Sequence, residues 1–194
     1  KAEGYDVESV ITVVDDKAHY YPGAGLFIIK LTADRATRKL LGVQVLGTGA
    51  VDKVTDIGVT AISLGATVDQ LAAMDFAYAP PFSTAIHPFA HSVNILINKL
   101  DGEMVSFTPA EFAAGPAEGY EVIDCALAPT LEGKKFLDLT KIDGEIPGLE
   151  KDAPFLLVCT KGRRAYLTQN RMKFYGYTNT RVLEGGTTFT EMEE

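Results

Sequence analysis

The segment VCTKGRRAY, residues 158–166, combines a cysteine with features that activate a thiol. Cys159 ends an apolar run, and Gly162 permits the positive φ that a short loop needs. If a helix begins at residues 163–164, its N-terminus, the loop N–H groups and the charge of Arg164 all favour a thiolate. The pattern therefore supports a nucleophilic or persulfide-carrying cysteine. A buried structural cysteine is the alternative, because free cysteine is commonly a core residue.

The elements around Cys159 predict a small α/β domain with a parallel sheet. In chain order they are a strand (120–127), a long connection, a strand (154–159), a helix (163–176) and a strand that runs into a double-glycine turn (180–186). The functional edge of such a sheet lies at the carboxyl ends of its strands, where Cys159 is placed. Cys125 lies in the first of these strands, and we interpret it as a core residue rather than a resolving thiol.

The first hundred residues predict a different architecture, an antiparallel sheet followed by helices. Segments 7–16 and 25–34 are rich in β-branched residues, segment 38–47 is a third candidate strand, and the polar link ADRATRK suits a hairpin. Helices are predicted at residues 51–65, 67–74 and 87–100, from apolar periodicity, a capping box and a proline near the first turn.

A stretch rich in glycine, proline and acidic residues, 101–119, separates the two patterns, so we place the domain boundary near residues 102–106. Within it, TPAEF predicts a short helix capped by Thr108 with Pro109 at its first position.

Composition excludes several classes of protein. The chain has 194 residues and a net charge of −8, with 8 basic against 12 acidic residues through Met104 and 10 against 14 after it, so neither half is a basic nucleic-acid-binding module. No apolar stretch approaches the ~18 residues of a membrane span. Two cysteines make no disulfide framework, which predicts a reducing cytoplasm. The chain begins without Met or a signal-peptide pattern, and we expect it to be a fragment of a longer protein.

The segment LLVCTKGRRAY followed by YGYTNTRVLEGG resembles the rhodanese-like domain family over residues 154–186. The matching positions are Cys159, Gly162, Arg164, Gly176, Tyr177, Asn179, Leu183, Gly185 and Gly186. The resemblance implies that Cys159 accepts a sulfane sulfur as a persulfide, and that the loop amides around Gly162 and the charge of Arg164 stabilise the sulfur anion. Upstream the chain departs from the family, with Ala126 in place of an arginine and no histidine in residues 132–152. A degenerate domain that carries, docks or only packs is therefore an open alternative.

Nearly all of residues 1–100, including the segments YYPG and YAPPFS, resembles the dimerisation domain of the pyridine nucleotide-disulfide oxidoreductases. The branch it resembles contains coenzyme A-disulfide reductase, NADH oxidase and polysulfide or persulfide reductase, whose members often carry a rhodanese-like domain after this one. The resemblance implies a homodimer in which Tyr21, or less directly Tyr20, and Tyr78 enter the partner's active site. A phenol there can donate a hydrogen bond to a leaving thiolate. Taken alone, the same tyrosines suit an ordinary turn and a proline-stiffened loop.

The resemblance implies FAD, NAD(P)H and coenzyme A for the full-length parent, but no cofactor in this chain. GAG at 23–25 precedes a strand and GTGAVD at 47–52 lacks the third glycine, so we interpret both as turns. His87 and His91 lie four apart on a predicted helix with no third ligand nearby, which predicts a capping or surface role and no metal site.

Together these observations predict the C-terminal part of an FAD- and NAD(P)H-dependent disulfide or persulfide reductase. An α+β dimerisation domain is expected at 1–102 and an α/β rhodanese-like domain with a parallel sheet at 106–194. The expected partners are a second copy, the missing nucleotide-binding domains and small sulfur-containing substrates, with neither nucleic acid nor membrane. A stand-alone sulfurtransferase and a non-catalytic assembly module are the alternatives, so catalysis by this chain itself is an open question.

Overall fold

The structure is a computed structural model that describes residues 4–192. The chain divides into two compact units, the first ending at Gly102 and the second beginning at Glu103. The outermost residues of the two predicted domains, 1–3 and 193–194, lie outside the described residues.

The first unit contains a three-stranded antiparallel sheet, as the β-branched segments predicted. Its strands are β1 (Val7–Asp15), β2 (Leu26–Asp34) and β3 (Leu40–Gly47), in that order across the sheet. Inward-facing residues alternate along each strand, so that Val10 and Leu31, which pair between β1 and β2, are both fully buried. The sheet therefore presents one apolar face to the helices that follow.

Three helices complete the first unit: α1 (Val51–Ser63), α2 (Val68–Ala72) and α3 (Pro88–Leu100). The predicted capping box at the start of α2 is present, and Pro88 occupies the first turn of α3. α3 packs on β1 and β2, while α1 packs on β3. The buried cluster between helices and sheet includes Ile29, Leu31, Leu71, Phe89, Val93 and Leu96.

The second unit contains a five-stranded parallel sheet in the order β4-β8-β7-β5-β6. Its strands are β4 (Ser106–Phe107), β5 (Glu121–Asp124), β6 (Lys135–Phe136), β7 (Phe155–Val158) and β8 (Thr180–Leu183). Its helices are α4 (Pro109–Ala113), α5 (Arg163–Phe174) and α6 (Gly186–Phe189), with a 3-10 helix at Leu139–Lys141. All four residues of β7 are buried, as expected for a central parallel strand.

Two details of the second unit differ from the sequence prediction. β5 ends at Asp124, short of residue 127, because the buried Asp124 carboxylate accepts the N–H groups of Ala126, Thr130 and Leu131 and turns the chain. The double glycine after β8 is the start of α6 rather than a simple turn. Within residues 4–192, no helix is both long and apolar enough to cross a membrane.

Candidate functional site

Cys159 directly follows β7, at the carboxyl edge of the parallel sheet. Its side chain is almost entirely buried, and its sulfur accepts the backbone N–H of Ala165 at 3.4 Å. Ala165 lies in the first turn of α5, a helix of 12 residues, so the positive end of that helix faces the sulfur. An N–H donor and a helix N-terminus stabilise the negative charge of a thiolate or a persulfide at this position.

Gly162 shapes the loop between Cys159 and α5. It caps the helix in the left-handed conformation, with φ of 84°, which a residue with a side chain adopts only at a cost. The predicted positive φ at this glycine is therefore present. Its carbonyl accepts the N–H of Tyr166, the first helical bond of α5.

Hydrogen bonds from the start of α6 hold the backbone of Cys159 and Thr160. Thr187 donates its N–H to the Cys159 carbonyl at 3.1 Å, and Thr188 donates to the Thr160 carbonyl at 2.9 Å. A Cβ atom on Gly186 would overlap the Cys159 carbonyl oxygen and lie 2.7 Å from the Thr160 oxygen. Only glycine permits this close approach, so the VLEGG segment and the cysteine loop form one assembly.

Arg164 lies in the first turn of α5, with its guanidinium directed to the segment after β5. Its Nε donates to the Cys125 carbonyl at 3.2 Å, and a terminal nitrogen lies 3.6 Å from Asp138 Oδ1. Hydrogen bonds to Thr140, with a smaller effect of the Arg164 charge, lower the pKa of the Asp138 carboxyl. Within the described part of the chain, Arg164 makes no hydrogen bond to the Cys159 sulfur, so its predicted role at a sulfur anion stays a prediction.

The tyrosines of the first unit lie at its surface. Tyr21 is the first residue of a turn in which the Ala24 N–H donates to the Tyr21 carbonyl at 3.1 Å. Gly23 in this turn has a φ of 71°. Tyr78 is 50% exposed and Tyr20 is 68% exposed, so neither ring is a core residue. A hydrogen bond with the Tyr20 side chain raises the pKa of Tyr78. The structure thus brings Tyr78 to Tyr20.

His87 has the capping role that the sequence predicted. Its Nδ1 accepts the N–H of Phe89 at 3.2 Å at the start of α3, and its ring stacks on Phe76 with 4.8 Å between centroids. Burial, together with the charge of Lys53, lowers the pKa of His87, which keeps the imidazole neutral near pH 7. Among residues 4–192, no group of three or more His, Cys, Asp or Glu side chains could hold a metal ion.

The two glycine-rich segments of the first unit do not fit a nucleotide cofactor. GAG at 23–25 lies in the turn before β2, and GTG at 47–49 joins the antiparallel strand β3 to α1. A Cβ atom on Gly49 would lie 2.6 Å from the Asp16 carboxylate, so the glycine makes room for a negative group of the protein itself. A phosphate beside that carboxylate would be repelled. These residues therefore do not hold FAD or NAD(P)H.

Comparisons with known proteins cover both units. Residues 1–90 match the family model of the pyridine nucleotide-disulphide oxidoreductase dimerisation domain. Over 94 residues, 48% of this chain and 21% of the relative, the sequence is 35% identical to the NAD(P)H sulfur oxidoreductase (CoA-dependent) of Pyrococcus furiosus. The chain spans about a fifth of the length of the curated relatives it matches.

Two solved structures extend the match over nearly the whole chain. A NAD-dependent persulfide reductase from A. fulgidus is 30% identical with a TM-score of 0.87, covering 97% of this chain and 34% of that protein. The reduced CoADR-RHD of Bacillus anthracis is 27% identical with a TM-score of 0.82, covering 93% of this chain and 33% of that protein. The family resemblance is confirmed: the first unit is a pyridine nucleotide-disulphide oxidoreductase dimerisation domain, and the parallel α/β unit that follows it is rhodanese-like.

Proposed function

We propose that this chain is the dimerising and sulfur-carrying part of an FAD- and NAD(P)H-dependent reductase that acts on coenzyme A-disulfide, persulfide or polysulfide. One observation carries the proposal: the Cys159 sulfur lies at the carboxyl edge of a parallel sheet and accepts an N–H from the first turn of α5. The relatives whose names include sulfur oxidoreductase and persulfide reductase support the same chemistry.

In this proposal Cys159 receives a sulfane sulfur. Its thiolate attacks a terminal sulfur of a polysulfide chain, a new S–S bond forms at Cys159, and the shortened polysulfide leaves with the electron pair of the bond that breaks. The product is a cysteine persulfide whose negative charge lies at the N-terminus of α5. Because the cysteine is only 4% exposed, a slender inorganic polysulfide reaches the sulfur more readily than a bulky disulfide.

The first unit supplies the dimer interface. Large apolar side chains cluster in the segment that contains Tyr78, where Phe82 is 76% exposed and Ile86 is 60% exposed. A second copy that covers these side chains would bury them, which favours a homodimer. In that dimer the linked hydroxyls of Tyr20 and Tyr78, with Tyr21 in the adjoining turn, would face the partner's active site. The Tyr78 hydroxyl is protonated at neutral pH, as an ordinary tyrosine with a pKa of about 10 also is, so that it can donate to a leaving thiolate.

The flavin and nicotinamide chemistry belongs to nucleotide-binding domains of the parent, because the residues present here do not fit those groups. When bound there, the flavin would pass electrons from NAD(P)H to the disulfide. The two cysteines of this chain are free thiols, which is consistent with the reducing cytoplasm we propose for the enzyme.

A sulfur-loading assay tests the carrier role. The full chain is incubated with sodium tetrasulfide and desalted, and its bound sulfane sulfur is measured by cyanolysis. We expect one cyanolysable sulfur per chain in the wild type and none in Cys159→Ala, because the substitution removes the accepting thiol. Cys125→Ala is the matched control, since it removes the other thiol and leaves the α5 donor in place. Equal labelling of wild type and Cys159→Ala would refute the carrier role, and the absence of label from both the wild type and Cys125→Ala would favour a non-catalytic assembly module.

A further inference from the structure

The two cysteines of this chain directly follow two neighbouring strands, Cys125 after β5 and Cys159 after β7. β5 and β7 pair in parallel with Asp124 aligned to Val158, and the next residues are Cys125 and Cys159. The Cys125 N–H donates to the Val158 carbonyl at 2.7 Å, the bond that closes this last pair, so the two cysteines are the first residues beyond the paired strands. Neighbouring strands lie about 4.8 Å apart. That spacing falls within the roughly 4.4–6.8 Å between Cα atoms that a disulfide requires.

Both thiols also lie on the same side of the sheet, beneath α5. The Cys159 sulfur accepts the N–H of Ala165, and the Cys125 thiol donates to the Ile123 carbonyl at 3.6 Å, close enough to Thr168 and Cys159 for both to affect its pKa. Ala165 and Thr168 are three residues apart, so they share one face of the helix and both are fully buried. Aligned residues of paired parallel strands point to the same face of the sheet, which agrees with this placement.

Both cysteines are free thiols, and both are shielded from solvent. Cys125 is fully buried and Cys159 is 4% exposed. A thiol from outside therefore approaches the inner sulfur of a Cys159 persulfide less easily than the neighbouring cysteine does. The nucleophile with the shortest path to that inner sulfur belongs to the chain itself.

We propose that Cys125 is the resolving thiol of Cys159, a step that rests on the sulfur-carrying function proposed above. The Cys125 thiolate attacks the Sγ atom of persulfidated Cys159 and forms a Cys125–Cys159 disulfide. The bond between Sγ and the outer sulfur breaks, and the outer sulfur leaves with its electron pair as hydrosulfide. The proton of Cys125 passes through solvent to the outer sulfur, which therefore leaves as hydrosulfide rather than as a sulfide dianion. The sulfane sulfur is reduced by two electrons while the cysteine pair is oxidised by two, so the step needs no further oxidant.

A low-molecular-weight thiol then restores the carrier more slowly, by attack at Cys159, the more exposed of the two sulfurs. Two exchange steps with such a thiol return Cys125 and Cys159 to thiols and release a small disulfide. That product belongs to the substrate class proposed above for the reductase. The cycle would therefore convert bound sulfane sulfur to hydrosulfide and regenerate the carrier at the expense of NAD(P)H.

The surroundings of Cys125 set the speed of this step. Burial, with the charges of Cys159 and Asp124 acting in the same direction, raises the pKa of Cys125 to about 12, while Thr168 opposes the shift. Arg164 bonds the Cys125 carbonyl rather than its thiol. At neutral pH the resolving thiol is mostly protonated, so an external acceptor at the outer sulfur has time to compete. Resolution is therefore slow, since only the thiolate attacks.

The experiment follows sulfur loading and persulfide resolution in the full chain. Wild type, Cys125→Ala and Cys125→Ser are loaded with sodium tetrasulfide, desalted without oxygen and sampled over time. Cyanolysis reports the persulfide, a thiol-reactive bimane reports the released hydrosulfide, and peptide mass spectrometry without reduction reports the disulfide. We expect the wild type to lose its persulfide with one hydrosulfide released and one Cys125–Cys159 disulfide formed. The variants should keep the persulfide about tenfold longer or more, because they lack the intramolecular nucleophile.

Two negative results can be told apart. If all three proteins load sulfur and the wild type keeps it as long as the variants, the resolving role is overturned while the carrier role stands. If none loads sulfur, the carrier role fails and the resolving step fails with it. The wild type also gives a reading that needs no variant to fold: each hydrosulfide released should be matched by one Cys125–Cys159 disulfide, and release without that disulfide would contradict attack by Cys125.

Discussion

The two units hold their candidate residues in opposite ways. In the first unit, Tyr20 and Tyr78 are half-exposed or more and contact each other at the surface. In the second unit, Cys159 is buried and surrounded by the backbone of α5 and α6. The surroundings of Cys159 are therefore assembled within one unit, whereas the role proposed for the exposed tyrosine pair requires a second copy of the chain.

The two sheets account for this difference. The antiparallel sheet of the first unit is connected by hairpins and turns, which place YYPG side chains at the surface. The parallel sheet of the second unit gathers the ends of β5, β7 and β8 at one edge, where loops from distant parts of the chain meet. Substitutions in one unit should therefore leave the chemistry of the other intact.

The largest expected effect is on the stability of the first unit. Phe89→Ala empties a fully buried position on α3 and should lower the free energy of unfolding of that unit by about 3–5 kcal/mol. Sulfur loading at Cys159 should persist, because the second unit has its own core. Denaturant unfolding combined with cyanolysis measures both. Phe82→Ala is the control and should change stability by less than about 0.5 kcal/mol, since that ring is 76% exposed. Loss of loading in Phe89→Ala would show that the units are not independent.

The next effect concerns the glycine beside the cysteine loop. Gly186→Ala forces a Cβ atom against the Cys159 and Thr160 carbonyls at a φ of 55°, so the loop or α6 must shift. We expect the second unit to lose about 2–4 kcal/mol and sulfur loading to fall. Gly144→Ala is the matched control, because nothing lies within 4 Å of its added Cβ atom. Full loading in Gly186→Ala would mean that α6 does not position the sulfur.

A smaller expected effect is that the first unit alone becomes less stable at acid pH. The pKa of His87 in the folded unit lies below its ordinary value of 6.5, so the unfolded chain binds the proton more readily. The stabilisation is present above pH 6.5 and is lost as the pH falls below it. His87→Asn keeps an N-cap acceptor and should flatten this dependence between pH 6.5 and about 5. An unchanged pH profile in the variant would assign the acid loss to another group.

The smallest effect separates the two tyrosines of YYPG. Tyr78→Phe removes the hydroxyl that bonds Tyr20 and should change stability by less than about 0.5 kcal/mol, because both rings are exposed. Ultraviolet titration should show that the tyrosine with the raised pKa is lost in Tyr78→Phe and kept in Tyr21→Phe. If Tyr21→Phe abolishes it instead, the pairing of the two hydroxyls is wrong.

Local patterns in the sequence determined most of both units. The β-branched segments predict β1 to β3, Thr67 and Gln70 predict the cap of α2, and the spacing of Cys159, Gly162 and Arg164 predicts a loop that opens a helix. These features depend on residues a few positions apart, so the chain displays them directly. β4 and β6 escaped prediction because two residues are too few to show a period, and their pairing partners supply the stabilisation.

Other features were decided only by tertiary structure. The alignment of Cys125 with Cys159 depends on the register of β5 and β7, across an intervening connection that carries no signal of it. The choice of Tyr20 over Tyr21 as the partner of Tyr78 depends on how the YYPG turn orients two adjacent side chains. The contacts of the Arg164 guanidinium with Cys125 and Asp138 also depend on tertiary packing, because these residues lie far from Arg164 in the sequence. The sequence by itself determined which residues could carry the chemistry, whereas long-range packing decided which of them meet.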